Sequence, residues 1–220
     1  MRLLRLLFVP VCVITLAWHM SSCGSSGKTG FCDTACITDT LRYVQAHPDT
    51  PFVLLSVKNC QPDTFIWSHK GLDTKRKMGF YELVGKDVRL NKDFISCYFN
   101  DTSYAWLKFN DCITGRGFLV KLPYSKNDKW SIYTSALNSF DKKFHVEDGL
   151  IAYYDETFIY AQDQATGKLD RTLMNNTGMD IDHNDIHSTF DSVNITRNKI
   201  WANIKIKGQF TPKEKQIALK

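Results

Sequence analysis

The sequence of 220 residues lacks the short motifs that mark the commonest catalytic machinery. It contains no nucleophile elbow, no phosphate-binding loop, no kinase signature set and no H-E-x-x-H metalloprotease motif. Long helical periodicity is lacking as well, which argues against a helical bundle. We therefore expect a non-enzymatic protein, although a catalytic group assembled from distant residues would leave no such pattern.

A strong charge of either sign is also lacking. The chain has 28 basic and 23 acidic residues, and removal of Arg2 and Arg5 with the N-terminal signal described below lowers the formal net charge from +5 to +3. A value this small does not indicate a nucleic-acid partner. No nucleic acid is expected among the partners.

The N-terminus has the layout of a secretory signal peptide. Two arginines precede an apolar run over residues 6–18, which is short for a membrane span and is interrupted by Pro10. Residues 1–22 are therefore predicted to be a signal peptide, and the mature chain is predicted to be exported.

The residues after the apolar run, Met20-Ser21-Ser22-Cys23, resemble the lipobox of bacterial lipoproteins. The small serines agree with that pattern, whereas Met20 stands where leucine is usual. The resemblance implies that the mature protein begins at a lipidated Cys23 and reaches the membrane through its acyl chains. Gly24 is not the aspartate that marks inner-membrane retention, which favours an outer-membrane address. A signal peptide followed by release into the periplasm is the alternative.

The remaining chain divides into a tether and one folded unit. Residues 23–31 comprise Cys23 and a flexible Gly/Ser-rich stretch. Residues 32–220 have a length and apolar content suited to a single domain. Cofactors are not indicated.

Five cysteines follow the predicted lipidation site, in a compartment where disulfides can form. They are Cys32, Cys36, Cys60, Cys97 and Cys112. An odd number permits at most two bridges and one free thiol, and the sequence does not select among the possible pairings. The spacing C-x-x-x-C at Cys32 and Cys36 resembles the copper site of periplasmic copper-delivery proteins, but structural bridging is the favoured interpretation.

Short β-prone runs separated by polar turns dominate the chain from Pro51 onward. The clearest is Gly149 to Leu173, which reads as three strands joined by turns at Asp155-Glu156 and Ala165-Thr166-Gly167. The fold class is therefore predicted to be all-β, built from antiparallel meanders.

Two patterns recur along these meanders. The turn D-x-x-T-G-[KR] occurs at residues 111–116 and again 52 residues later at residues 163–168. Strands that end in a large aromatic residue recur at Trp67, Trp106, Tyr160 and Trp201. We expect these four aromatic side chains to be buried, and Gly115 and Gly167 to adopt positive φ.

Repeats of about 40 to 50 residues built from antiparallel strands are typical of propeller blades. The repeated turn after an aromatic strand resembles the outer hairpin of blades in WD40-like and quinoprotein-like propellers, over Phe94 to Leu173. The resemblance implies propeller-like blade units. Cys60 and Trp67 also resemble fragments of an immunoglobulin-like β-sandwich, which is the alternative fold.

The segment 180–187 contains the candidate metal ligands Asp180, Asp182, His183 and His187. Its acidic spacing partly matches a calcium loop, but Asp185 stands where that loop requires glycine. If Asp182 caps a short helix, His183 and His187 lie one turn apart, as in half of a zinc or copper site. A capped helical turn without metal is the simpler interpretation.

These observations lead to two functional hypotheses. The first is a lipid-anchored, non-enzymatic β protein of the cell envelope that binds another envelope protein or a glycan. The second is a metal-binding or metal-dependent periplasmic protein that uses the cluster from Asp180 to His187.

Overall fold

The computed structural model describes residues 30–33, 36–72 and 74–219. The predicted signal peptide, Cys23 and nearly all of the tether lie outside these residues. No helix in the part that the structure describes is long and apolar enough to cross a bilayer.

The described chain forms fifteen strands and one short α-helix, α1 (Phe80–Val84). In chain order the strands are β1 (Leu41–Val44), β2 (Phe52–Lys58), β3 (Gln61–Ser68), β4 (Arg76–Gly79), β5 (Ile95–Asn100), β6 (Tyr104–Asn110), β7 (Gly117–Pro123), β8 (Ser131–Ala136), β9 (Phe144–Val146), β10 (Leu150–Tyr154), β11 (Phe158–Asp163), β12 (Leu169–Leu173), β13 (Phe190–Thr196), β14 (Lys199–Ile206) and β15 (Gln209–Gln216). Single 3₁₀ turns occur at Lys92–Phe94 and Ile186–Ser188.

The strands form three sheets. Sheet A contains β1 to β4 in chain order, sheet B has the order β12-β11-β10-β8-β7-β6-β5, and sheet C has the order β15-β14-β13-β9. Neighbouring strands are antiparallel except for β9 and β13, which pair in parallel. The prediction of an all-β protein built from antiparallel strands is confirmed.

Two apolar clusters cover one face of sheet B. The first joins the inner faces of β2 and β3 to those of β5, β6 and β7, and Phe80 of α1 lies between them, in contact with Phe65 on β3 and Phe109 on β6. The second joins β10 and β11 to β13 and β14. Sheets A and C therefore pack against different halves of sheet B, and each half contributes alternate residues to its cluster.

The opposite face of sheet B carries a third, smaller cluster, which includes Trp106, Leu119 and Ile151. The sheet bends toward this face. The bend is shown by a hydrogen bond of 2.7 Å that the Tyr104 hydroxyl on β6 donates to the carbonyl of Gln164, after β11. Several strands separate these two groups in the sheet order. We call this side the aromatic face.

Both repeated turns have the predicted conformation. Gly115 has φ 74° and Gly167 has φ 73°. In each turn the glycine N–H bonds to the carbonyl of the first aspartate, at 2.7 Å in residues 111–116 and 2.9 Å in residues 163–168. The prediction of positive φ at the two glycines is confirmed.

The prediction that all four recurrent aromatic residues are buried is wrong for two of them. Trp67 and Trp106 are buried, but Tyr160 and Trp201 are only half-buried. On β14 the core face is formed by Ile200 and its alternate neighbours, so Trp201 points to the opposite side. The same alternation on β11 places Tyr160 on the aromatic face.

Candidate functional site

An open cleft lies beside the end of β10, where the chain turns into β11. One part, of about 450 Å³, is lined by Ser135, Tyr154, Asp155, Glu156, Thr157, Ile181 and His183. An adjoining part, of about 550 Å³, is lined by Glu156, Thr177, Gly178, Met179, Asp180, Ile181 and His183. The cleft therefore lies between the β10–β11 turn and the loop that precedes β13.

The β10–β11 turn is held by Asp155. Its Oδ1 accepts hydrogen bonds from the N–H groups of Thr157 at 2.7 Å and Phe158 at 2.6 Å, and its Oδ2 accepts one from the Tyr160 hydroxyl at 2.6 Å. Burial alone would raise the pKa of Asp155, but these hydrogen bonds outweigh it and the net pKa is lowered. Asp155 therefore stabilises the turn, and Glu156 at the tip of the turn is exposed toward the cleft.

Tyr154 and His183 form the inner wall of the cleft. The Tyr154 hydroxyl lies 3.2 Å from Nδ1 of His183. Burial raises the pKa of Tyr154 to about 12, and burial together with the Arg116 and Lys86 cations lowers the pKa of His183. At neutral pH the phenol is therefore protonated and the imidazole is neutral, so the phenol can donate to Nδ1.

The loop that forms the other wall is held by its own polar groups. Asn175 Nδ2 donates to the Gly178 carbonyl at 2.9 Å, and Gly178 has φ 76°. Asp182 Oδ1 accepts from the Asn184 N–H at 2.8 Å. Asp182 therefore supports the loop, whereas Asp180 is exposed and lines the cleft.

The four predicted metal ligands are only partly brought together. Asp180 and His183 line the same cleft. His187 lies elsewhere, with Nε2 at 2.9 Å from Oδ2 of Asp141 and Nδ1 at 3.2 Å from the Phe190 carbonyl. Among the described residues, no three His, Cys, Asp or Glu side chains are close enough to hold a metal ion.

The helix that was expected to begin at Asp182 is absent at that position. The segment forms a single 3₁₀ turn over Ile186–Ser188, preceded by Asp185. The Asp182 side chain closes a local turn through Asn184 instead of capping a helix. His183 and His187 consequently do not share a helical face.

Four of the five cysteines form two disulfides. Cys32 is bonded to Cys112 and Cys36 to Cys60, which leaves Cys97 as a free thiol among the described residues. Cys97 is half-buried, and burial raises its pKa. Because the sulfur atoms of Cys32 and Cys36 are in disulfides with two other cysteines, the copper-type C-x-x-x-C interpretation is wrong. The lipidation site Cys23 lies outside the described residues.

Sequence reasoning missed the cleft residues Ser135, Tyr154 and Glu156. In the sequence, Glu156 stands in a predicted turn, and Tyr154 directly precedes that turn. The sequence signal that marks them is a polar turn with two consecutive carboxylates directly after a tyrosine. Nothing in the sequence links this turn to Ser135 or His183, since their proximity depends on sheet packing.

Comparison with known proteins gives no relative. No family model, no curated protein and no solved structure matches this chain.

Proposed function

We propose that the chain is a lipid-anchored, non-enzymatic binding domain of the cell envelope, and that the cleft beside Tyr154 receives a small polar ligand. The observation that carries the proposal is the convergence of Glu156, Asp180 and His183, from two separate segments, on one open cleft. Polar groups that converge on a concave surface are typical of ligand sites. Another envelope protein or a glycan is the expected source of the ligand.

The chemistry of the cleft supports binding better than catalysis. A phenol with a raised pKa is a poor nucleophile at neutral pH, and the neutral imidazole of His183 already accepts a hydrogen bond from this phenol at Nδ1. Tyr154 and His183 therefore act as a fixed array of hydrogen-bonding groups. Glu156 and Asp180 add two carboxylate acceptors at the rim.

The two disulfides support export. They form and persist in oxidising compartments, and both attach the segment that follows the predicted tether. Cys32 lies nine residues after Cys23 in the sequence. In a lipid-anchored protein this arrangement holds the domain close to the membrane, with the end of the tether bonded to the turn at Cys112.

We also infer that the sheets correspond to blade-like units of the propeller type. Sheet A, the two halves of sheet B and sheet C each contribute a few antiparallel strands. Sheets A and C each pack face to face on one half of sheet B, and the two halves are joined by the pairing of β8 with β10. The repeated turn closes a hairpin in each half of sheet B. In the sandwich alternative, each sheet is one layer: sheet A packs on one half of sheet B, and sheet C packs on the other half.

The anchor is tested with Cys23→Ser. This change removes the side chain predicted to be acylated, at a residue that belongs to none of the described strands, so the fold should be retained. We expect wild type to incorporate palmitate and to sediment with outer membranes, and the variant to do neither. A variant that labels and sediments like wild type would show that Cys23 is not the anchor.

The cleft is tested with Glu156→Gln and Asp180→Asn, which remove charge and keep shape. Purified protein is titrated by calorimetry with short neutral glycans, amino sugars and dipeptides, and Asp128→Asn is the control at an exposed position away from the cleft. Binding to wild type that both cleft variants weaken supports the proposal. Binding that is unchanged in both variants, or absent with every probe, contradicts it.

A metal-dependent function is the second candidate: Asp180 and His183, two of the predicted ligands, line one cleft with Glu156, but among the described residues no three such side chains are close enough together to hold a metal ion. Elemental analysis of protein purified without chelators tests it. Stoichiometric zinc, copper or calcium that is lost in His183→Ala but kept in His187→Ala would favour the metal function. Metal-free protein with an intact fold would favour the binding function.

A further inference from the structure

The aromatic face of sheet B lies on the opposite side of the sheet from Tyr154 of the cleft, and it has an unusual composition. Residues that are directly paired on neighbouring antiparallel strands point to the same side of the sheet. The pairing registers therefore show which residues lie on this face. Five of the nine tyrosines of the chain lie on it, together with Trp106 and Phe158. The tyrosines are Tyr98, Tyr104, Tyr133, Tyr153 and Tyr160.

The rings form a continuous ladder across neighbouring strands. The centroid of Trp106 lies 6.0 Å from that of Tyr133, which lies 4.3 Å from that of Tyr153. Tyr153 stacks on Tyr160 at 4.9 Å with an angle of 13° between the rings, and Tyr160 lies 6.1 Å from Phe158. The ladder is therefore preorganised before any ligand arrives, which lowers the entropy cost of binding.

One end of the ladder is buried, and the other end is exposed to solvent. Trp106 is buried, and the Tyr104 hydroxyl is tied to Gln164. On edge strand β12, by contrast, Leu169 is 49% exposed and Leu173 is 42% exposed, and both belong to this face. A ligand therefore reaches the face over β10, β11 and β12.

The charges on the face are of one sign. Lys108, Lys121 and Arg171 occupy strand positions, and none of the described strand positions of this face carries an acidic side chain. The Arg171 guanidinium lies 4.1 Å from the centroid of Phe158, and the Lys121 ammonium lies 4.2 Å from that of Tyr104. Asp155 at the adjoining turn compensates Arg171 in part. The described strand positions of the face are thus aromatic and basic, with Arg171 as the basic side chain at the open end.

We propose that the open end of the aromatic face, over Tyr153, Phe158, Tyr160 and Arg171, binds an acidic polysaccharide. The apolar faces of sugar rings pack on aromatic and leucine side chains, and the carboxylate groups of the polymer pair with Arg171. The Tyr160 hydroxyl already donates to Asp155, and its oxygen accepts hydrogen bonds from sugar hydroxyls. This composition is complementary to a chain that is both ring-containing and anionic.

Single-stranded nucleic acid is the other polymer that aromatic and cationic surfaces bind. The glycan is favoured because the two disulfides indicate an oxidising compartment, where glycans are the abundant polymers. This choice of polymer rests on the proposed export. The binding surface itself does not, because it depends on neither Cys23 nor the cleft.

Affinity electrophoresis of the full chain in mild detergent tests the proposal. The gels contain polygalacturonate, alginate, neutral dextran or no polymer, and oligothymidylate is titrated in parallel by fluorescence anisotropy. We expect retardation by the two acidic polysaccharides, with a dissociation constant that Tyr160→Ala and Arg171→Gln each raise about tenfold. Raising the salt concentration should weaken the binding, since the Arg171 contact is exposed.

The chain offers a matched control pair on another sheet. Phe210 on β15 is 45% exposed, and the Lys205 ammonium lies 6.0 Å from its centroid. Phe210→Ala and Lys205→Gln should leave retardation unchanged, and Tyr160→Phe, which keeps the ring, should retain most of it. Four results would each overturn the proposal. They are an equal loss of retardation in the two pairs of variants, equal retardation by dextran, tighter binding of oligothymidylate, and no retardation at all. Binding that survives Glu156→Gln and Asp180→Asn separates this surface from the cleft.

Discussion

The turns at residues 111–116 and 163–168 have the same motif and the same internal hydrogen bonds, but they lie in different surroundings. In each, the first aspartate accepts hydrogen bonds from the threonine hydroxyl and from two following N–H groups. Gly115 is buried beneath Phe31, and the adjacent Cys112 is bonded to Cys32. Gly167 is exposed.

This difference shows that local chemistry determines the conformation of a turn, whereas packing determines how much the protein depends on it. The short side chains of Asp and Thr satisfy the backbone donors of either turn without help from the rest of the chain. The N-terminal segment adds a second set of contacts to one turn only. Matched changes in the two turns should therefore have unequal effects.

Removal of the Cys32–Cys112 disulfide should have the largest effect. The bond closes a loop with a sequence separation of 80, for which loop entropy predicts a loss of about 4.5 kcal/mol in the free energy of unfolding. The double variant Cys32→Ala/Cys112→Ala is compared with wild type by urea denaturation. Cys36→Ala/Cys60→Ala is the control, with a separation of 24 and an expected loss of about 3.5 kcal/mol. A loss below about 1 kcal/mol would mean that the N-terminal segment does not stabilise the first turn.

The sequence predicted those features that depend on neighbouring residues. The two D-x-x-T-G turns, the positive φ of their glycines and the antiparallel strands around them all follow from hydrogen bonds within a few residues. The turn between β2 and β3 is equally local, because Asn59 and Cys60 both adopt positive φ, so two residues suffice and β3 begins at Gln61.

Features that depend on distant contacts were not predictable. The disulfide pairing joins residues 80 and 24 positions apart. The cleft needs Ser135, Tyr154 and His183 from three segments to meet. The burial of an aromatic residue depends on which sheet covers its face, and the same strand-end pattern therefore gives a buried Trp106 and a half-buried Trp201.

The strands that lead into the two turns allow a second comparison. Trp106 and Phe158 each precede the first aspartate of their turn by five residues, but Trp106 is buried and Phe158 is half-buried under Arg171. Trp106→Ala should cost about 3 to 5 kcal/mol, because it leaves a cavity, and Phe158→Ala about 1 to 2 kcal/mol. Chemical denaturation of both variants measures the difference. Equal costs would show that the two strands are packed equivalently.

The glycines of the two turns should also differ. Alanine at positive φ costs about 1 kcal/mol at either position. At Gly115 an added Cβ would lie 3.0 Å from a ring carbon of Phe31, whereas at Gly167 the nearest atom is 3.8 Å away. We therefore expect about 2 kcal/mol for Gly115→Ala and about 1 kcal/mol for Gly167→Ala in thermal melts. In a Phe31→Ala background the excess at Gly115 should vanish, and a persistent excess would require another cause.

The smallest expected effect concerns the pH dependence of the second turn. Burial alone would raise the pKa of Asp163, but hydrogen bonds from Thr166 and Ala165 and the Arg197 cation, 3.4 Å away, outweigh it and lower the pKa. Because the folded pKa lies below the unfolded value of about 3.9, the carboxylate stabilises the fold above that pH, and the contribution is lost as the pH falls through the folded pKa. Wild type should therefore be more stable than Asp163→Asn at pH 7, and the gap in urea midpoint should close as the pH falls from about 5 to about 2. Asp128→Asn, at an exposed position outside both turns, is the control. A gap that stays constant down to pH 2 would mean that Asp163 stabilises the turn by shape and not by charge.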